Sequence, residues 1–276
     1  MTNDRKDEFS PELEYLKIQD SIRRRKTVRI LLFSFAALLP LALSVGLFIY
    51  TDNNLTGGKL TSKVSTVSKF VPNGDRQTFV FQDGTSVTVN AGSRISFPDR
   101  FGLTMRELSL DGEAYFEVAH NPRRPFLVHI GDETIKVLGT SFNVRAFSGE
   151  EDVEVALDKG KVDVLAGSRH YVLAPGQVLK YDRPAGVGAV QTCNTSMFSE
   201  WTKNTVSFKS ADIDEIATNL SRLFGVHIYI NPSVDRSRLY TFTTKRTDLD
   251  LILSELEIIA PISATRDGDT ILIRNK

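Results

Sequence analysis

The sequence predicts a single-span membrane protein bearing an all-β domain followed by a small α+β module with duplicated β-α-β units. Three observations carry this reading. Residues 30–50, "ILLFSFAALLPLALSVGLFIY", contain no charge. Between about residues 75 and 182 apolar and polar residues alternate in short runs separated by Xaa-Gly dipeptides. After residue 200 apolar residues twice recur at helical spacing.

Residues 1–28 read as a short cytoplasmic segment with an amphipathic helix. Ser10 is an N-cap candidate and Pro11 suits the first helical position. Leu13, Tyr15, Leu16, Ile18 and Ile22 form a broad apolar stripe, fit either for lipid headgroups or for a cytoplasmic partner. Residues 29–50 match the roughly 20 apolar residues that cross a hydrocarbon core of about 30 Å. Pro40 is tolerated in such a helix and Tyr50 falls where aromatic side chains settle. A secretory signal would have a shorter apolar run, about 7–15 residues. "RRRKTVR" precedes the run, whereas only Lys59 and Lys63 follow it closely, so the N-terminus is expected in the cytoplasm and the rest exported.

Residues 51–73 are rich in Ser, Thr, Gly and Lys and read as a flexible linker. Residues 74–185 read as the all-β domain, with hairpin turns expected at Asp83-Gly84, Asp111-Gly112, Gly131-Asp132 and Lys159-Gly160. Residues 186–199 form a second linker and residues 200–276 the α+β module. There Ile213, Ile216, Ala217, Leu220, Leu223 and Phe224 share one helical face, with Ser210 or Asp212 as cap and Gly225 as stop. Leu249, Ile252, Leu253, Leu256 and Ile259 share another, ended by Pro261. "ADIDEIATNL" and "TDLDLILSEL" align at an offset of 36 residues, which suggests duplication.

Composition narrows the chemistry. The 34 basic and 34 acidic side chains balance, so no global field points to nucleic acid. A single cysteine, Cys193, forms no internal disulfide, and His120, His129, His170 and His227 share no metal-ligand spacing. The nucleophile elbow and the phosphate-binding loop are absent from the sequence. No cofactor is expected. Glu113 and Glu117 fall on one face of a strand, as in a paired-carboxylate site, but a polar solvent face explains them more simply.

Several strings agree with one family. "DGTSVTVNAGSRISFP", "RELSLDGEAYFEVAHNPRRPFLVHI", "TIKVLGTSFNVRAF", "VALDKGKVDVL" and "LAPGQVLKYD" resemble FecR-type anti-sigma regulators in the form common in the Bacteroidota. "FKSADIDEIATNLSRLFGVHIYI" resembles the second module of that family, related to the secretin and TonB short N-terminal fold. The resemblance implies a protein of the bacterial inner membrane, single-pass, with its C-terminus in the periplasm. It implies a relay from the signalling domain of a TonB-dependent outer-membrane transducer to an extracytoplasmic-function (ECF) sigma factor. Leu13, Tyr15, Leu16, Ile18 and Ile22 are then the sigma-contact candidates. The strands "TVSFK" and "TILIR" are candidate docking edges, which makes Val206, Phe208, His227, Tyr229, Ile271 and Ile273 the transducer-contact candidates. The alternative is a membrane-anchored β-domain that binds or processes envelope glycans, with Glu113, Glu117 and Trp201 lining its cleft.

The resemblance also bears on "VLGTSFNVRA". Some family members cut their own backbone at a Gly-Thr in this string, which makes Gly139–Thr140 a candidate scissile bond. A threonine hydroxyl attacks the preceding carbonyl, the peptide C–N bond breaks to leave an ester and a free threonine amine, and water then hydrolyses the ester; glycine offers little steric hindrance. The plain alternative is a bulge or a close packing contact.

Overall fold

In the computed structural model the described residues are 65–276, apart from 103, 104, 246 and 247. The amphipathic stripe, the apolar run and most of the first linker lie outside them. Among the described residues no helix is long and apolar enough to cross a membrane.

The strands from Thr66 to Thr192 form two layers that share one strand. The first layer is ordered β1 (Thr66–Phe70), β4 (Arg94–Pro98), β5 (Arg106–Glu117), β6 (Phe126–Ile130), β7 (Glu133–Val137), β10 (Val162–Ala166) and β11 (Arg169–Leu173). The second is ordered β2 (Gln77–Val80), β3 (Ser86–Val89), β5, β8 (Ser141–Ala146), β9 (Asp152–Lys159), β12 (Gln177–Asp182) and β13 (Val187–Thr192). All pairs are antiparallel except β5 with β6. Inward residues of both layers, among them Val87, Leu108, Phe116, Phe126, Phe142, Val155 and Leu179, merge into one core. Period-two alternation supplies these residues, as expected for layers with one buried face.

β5 belongs to both layers. Its first half pairs with β4 and β6, its second half with β3 and β8. Asp111-Gly112 is therefore a bend within one twelve-residue strand and not the expected hairpin turn. Gly112 has φ +132°, and a Cβ there would lie 2.3 Å from Cβ of Ser93. Lys159-Gly160 is likewise no hairpin, because β9 and β10 lie in different layers. The turns at Asp83-Gly84 and Gly131-Asp132 do join paired strands. Xaa-Gly dipeptides mark both hairpins and layer crossings here, since both need a residue without Cβ.

Both linkers carry structure that composition hid. β1 lies in the stretch read as a tether, pairs with β4, and is followed by the buried Val71. β13 falls in the second linker and pairs along its length with β12. These are edge strands with mostly exposed residues, so the alternation that signals a half-buried strand is missing from them.

Two short 3₁₀ helices, Thr195–Phe198 and Glu200–Lys203, lead into the module. Its order is β14 (Thr205–Ala211), α1 (Ile213–Phe224), β15 (His227–Ile230), β16 (Tyr240–Lys245), α2 (Leu249–Ile259), β17 (Ile262–Asp267) and β18 (Thr270–Asn275). This is β-α-β twice, plus a last strand. The first strands of the two units pair with each other, while β15 and β17 flank β18. Asp212 caps α1 by accepting from the Glu215 N–H, and Gly225 closes it with φ +69°. The apolar faces of both helices pack into a second core; Ile259 alone of the five expected on α2 is largely exposed. Residues 64–276 form one compact unit by their contacts.

Gly112→Ala is expected to destabilise the fold by about 1–3 kcal/mol, because the new methyl overlaps Ser93 in a left-handed backbone. Gly149→Ala, with nothing within 4 Å, is expected to stay within about 0.5 kcal/mol of wild type. Urea unfolding midpoints check both; equal midpoints would contradict the bend.

Candidate functional site

The second layer turns its polar face towards the module. Four charged residues stand side by side across it. Glu113 on β5 is paired with Arg145 on β8, Arg145 with Glu154 on β9, and Glu154 with Lys180 on β12. The opposite wall comes from Trp201, β14 and α1, and the cleft between holds about 410 Å³.

Contacts across the cleft are mainly polar. Glu113 accepts from Nδ2 of Asn90 at 2.8 Å and Nδ2 of Asn143 at 3.0 Å. Oδ1 of Asn143 accepts in turn from Nε1 of Trp201 at 3.1 Å. Arg145 donates to Oδ1 of Asn219 on α1 at 2.7 Å and to Glu150 at 2.9 Å. Arg222 of α1 donates to the same Glu150 at 2.6 Å, with its guanidinium 3.7 Å from the Phe147 ring centroid. Asp158 accepts from the Tyr115 hydroxyl at 3.0 Å and from Ser199 at 3.4 Å. Arg76 donates to the Trp201 carbonyl and to Asn204.

Burial governs the electrostatics. It pushes the Glu113 carboxyl above the ordinary carboxylate range, against the pull of Arg145 and the two amides. Burial raises Glu215 on α1 as well, with Glu154 adding to the effect. Burial also opposes the charge on Lys180, yet the Glu154 carboxylate 2.6 Å away holds its pKa above the usual value. Tyr115 is shifted upward by burial and by its bond to Asp158.

Gly139 and Thr140 lie at a crossing from β7 to β8, and the crossing from β9 to β10 packs against it. A Cβ on Gly139 would stand 2.5 Å from Cα of His120, and one on Gly160 would stand 2.8 Å from the Gly139 carbonyl oxygen. Thr140 is 4% exposed, and its hydroxyl donates to the Lys161 carbonyl at 3.0 Å. Two layer crossings are thus riveted together by one hydroxyl, and the glycines permit the approach. A register shift follows between Ser141 and Phe142. The pair therefore has a packing role of its own.

The expected transducer contacts divide. Val206, Phe208, Ile271 and Ile273 are core residues of the module, at most 4% exposed. "TILIR" is β18, the centre of its sheet and not an edge, because the chain doubles back so that β15 lies beside it in parallel. His227 and Tyr229 are exposed on β15, a true edge strand, with Tyr229 at 60%. The N–H groups of His227 and Asn231 donate to the β18 side, so alternation turns those of Ile228 and Ile230 outward. A groove of about 350 Å³ runs between this edge and α1, lined by Ile228, Ile230, Ala217, Ser221 and Arg236. The opposite edge, β17, is covered, since Glu257 accepts from the Ala264 N–H. Glu113 and Trp201 share the interdomain cleft but Glu117 is not part of it, so the paired-carboxylate arrangement does not assemble. Leu13, Tyr15, Leu16, Ile18 and Ile22 lie outside the described residues.

Sequence reasoning missed Asn90, Asn143 and the charge row. Only strand register brings these four charges level, and nothing in their spacing announces it.

Comparison with known proteins bears on the identity of both parts. The family model described as "FecR protein" matches residues 53–163, and that described as "FecR, C-terminal" matches residues 205–273. No curated protein matches the chain. Two crystal structures of a protein from Parabacteroides distasonis ATCC 8503, described as a candidate anti-sigma factor, share the fold. The one at 1.65 Å resolution has a TM-score of 0.72 at 24% identity, over 76% of this chain and 99% of that one. The one at 2.50 Å has a TM-score of 0.73 at 24% identity, over 77% and 100%. With the two family models matching in order on the two structural parts, the chain belongs to the FecR family.

Proposed function

We propose that the protein is a membrane-anchored regulator that relays a signal from a TonB-dependent outer-membrane transducer to an ECF sigma factor. The observation that carries this reading is the ordered pair of family matches on a β-domain and a C-terminal module. The charge-free run at residues 30–50 supplies an anchor, with residues 1–28 on the sigma side and the described part in the periplasm. The protein acts by binding and not as an enzyme on a substrate.

The transducer's signalling domain docks on the free edge of β15 by adding a strand, with His227 and Tyr229 at the contact and the groove beside α1 receiving side chains. Edge strands present unpaired backbone groups, which makes them templates for such pairing. Ile271 and Ile273 on β18 hold β15 in its sheet from the other side, whereas Val206 and Phe208 belong to the separate β14–β16 pair.

Pull-down of the full chain by the signalling domain should fail for Ile228→Pro, which removes one outward N–H from an edge where proline is tolerated. A proline variant that folds and still binds as wild type would rule out this edge. For Gly139–Thr140, the wild-type chain is expected to run as fragments 1–139 and 140–276 on denaturing gels, held together before denaturation by the shared core. Thr140→Ala should run as one band and Thr140→Ser should still cleave. A single wild-type band would leave the pair with its packing role alone.

A further inference from the structure

We propose that the end of the β-domain at which the chain enters is a docking surface for the anionic headgroups of a bilayer. The choice of that partner rests on the reading of residues 30–50 as an anchor.

Strand register sorts the loops of the β-domain onto two ends. Thr66 lies opposite Pro98, Arg106 beside Phe126, Phe126 opposite Val137 and Val137 opposite Val162. In the second layer Ser86 and Ser141 lie opposite Glu117, and Ser141 lies opposite Lys159. Thr140 ties the layers together at this end through the Lys161 carbonyl. The entry end therefore carries the loops 81–85, 99–105, 118–125 and 138–140, with residues 159–161. The far end carries the bend at Asp111-Gly112, the turns at Gly131-Asp132 and 167–168, and the loop 147–151.

The balanced charge of the chain hides an uneven distribution. At the entry end Arg100, Arg123, Lys159 and Lys161 are exposed, and none of the four forms an ion pair among the described residues. The exposed acids there are Glu117 and Asp99, which accepts from the Ser65 hydroxyl at 2.7 Å. Asp83 is neutralised by the buried Arg106 at 2.7 Å. At the far end the balance reverses, with Asp111, Asp132, Glu151 and Asp152 exposed against Arg94 and Arg169. A body charged in this way turns its positive end towards an anionic surface. Met105 and Val80, 55% and 76% exposed at the entry end, supply apolar contact beside the cations.

The tether selects the same end. The Asp99 N–H donates to the Ser65 carbonyl at 2.8 Å, so the chain arrives next to Arg100. Residues 51–64 separate this point from the charge-free run, and they span at most about 50 Å when fully extended. A tether of that length raises the concentration of this end at the bilayer without any new contact. The last turn of α1, which leads into β15, is held at the far end, where the Gly74 N–H donates to the Arg222 carbonyl at 2.8 Å.

Residues 64–276 form one compact unit in which both cores are complete, and the crystallised proteins that share this fold match over nearly their whole length. This portion is therefore tested without the anchor, by co-sedimentation with vesicles at low salt. Its partitioning onto vesicles of about one-third phosphatidylglycerol in phosphatidylcholine should exceed that onto phosphatidylcholine alone at least about tenfold. Arg123→Glu with Lys161→Glu should remove the excess. Arg94→Glu with Arg169→Glu, the same charge change at the far end, should keep it within about twofold. Equal partitioning of the wild type onto both vesicles overturns the surface. Survival of the excess in the entry-end pair, or its loss in the far-end pair, overturns its assignment to this end. The anchor fails separately, if alkaline carbonate releases the full chain from membranes.

Discussion

The whole β-domain depends on one strand serving two layers. β5 runs for twelve residues, and its two halves pair with different neighbours on either side of Gly112. Side chains alternate across a strand, so a bend at its middle redirects the second half while keeping Leu108, Leu110, Ala114 and Phe116 in one core. The stacked rings of Phe116 and Phe142, 4.8 Å apart, lie just beyond the bend. Ser93 packs so tightly against Gly112 that its hydroxyl accepts from the Glu113 N–H at 2.9 Å. The next residue after the bend is the carboxylate that meets the module, so the same constraint that joins the layers also positions the interface.

That interface differs in kind from the two cores it separates. Each core is apolar and built from alternating or helical patterns. The cleft between them is lined by amides, carboxylates and guanidinium groups beside apolar residues such as Trp201 and Phe208, and Glu113, Asn143, Arg145, Glu154 and Lys180 are each tied to a partner across or beside it. Polar groups left unpaired in such a place would cost about 1–3 kcal/mol each. Their bonds are directional and hold the module in one orientation, whereas an apolar seam would tolerate sliding. Domain contacts of this polar kind are also those expected to separate and re-form.

The crossing at Gly139–Thr140 is fixed by packing. The close approach of two layer crossings demands glycine at 139 and 160 and a small hydroxyl at 140. The residues are thus accounted for by packing alone.

Pattern along the chain determined what depends on near neighbours. Alternation located most strands of the β-domain, and helical spacing with Asp212 and Gly225 located α1. The motif strings fixed the family, and the 36-residue offset revealed two β-α-β units. Tertiary structure decided everything that depends on which strands meet. Asp111-Gly112 and Asp83-Gly84 look alike in sequence, yet one is a bend and the other a hairpin, because strand partners are chosen by distant segments. β1 and β13 were hidden since edge strands bury little and so carry no alternation. "TILIR" reads as a last, free strand but becomes the centre of its sheet because it is laid between β17 and the earlier strand β15. Glu113, Arg145, Glu154 and Lys180 lie far apart along the chain and stand level only through register across four strands. Local propensity fixes elements, but register and burial are collective, so the polar interface became legible only in three dimensions.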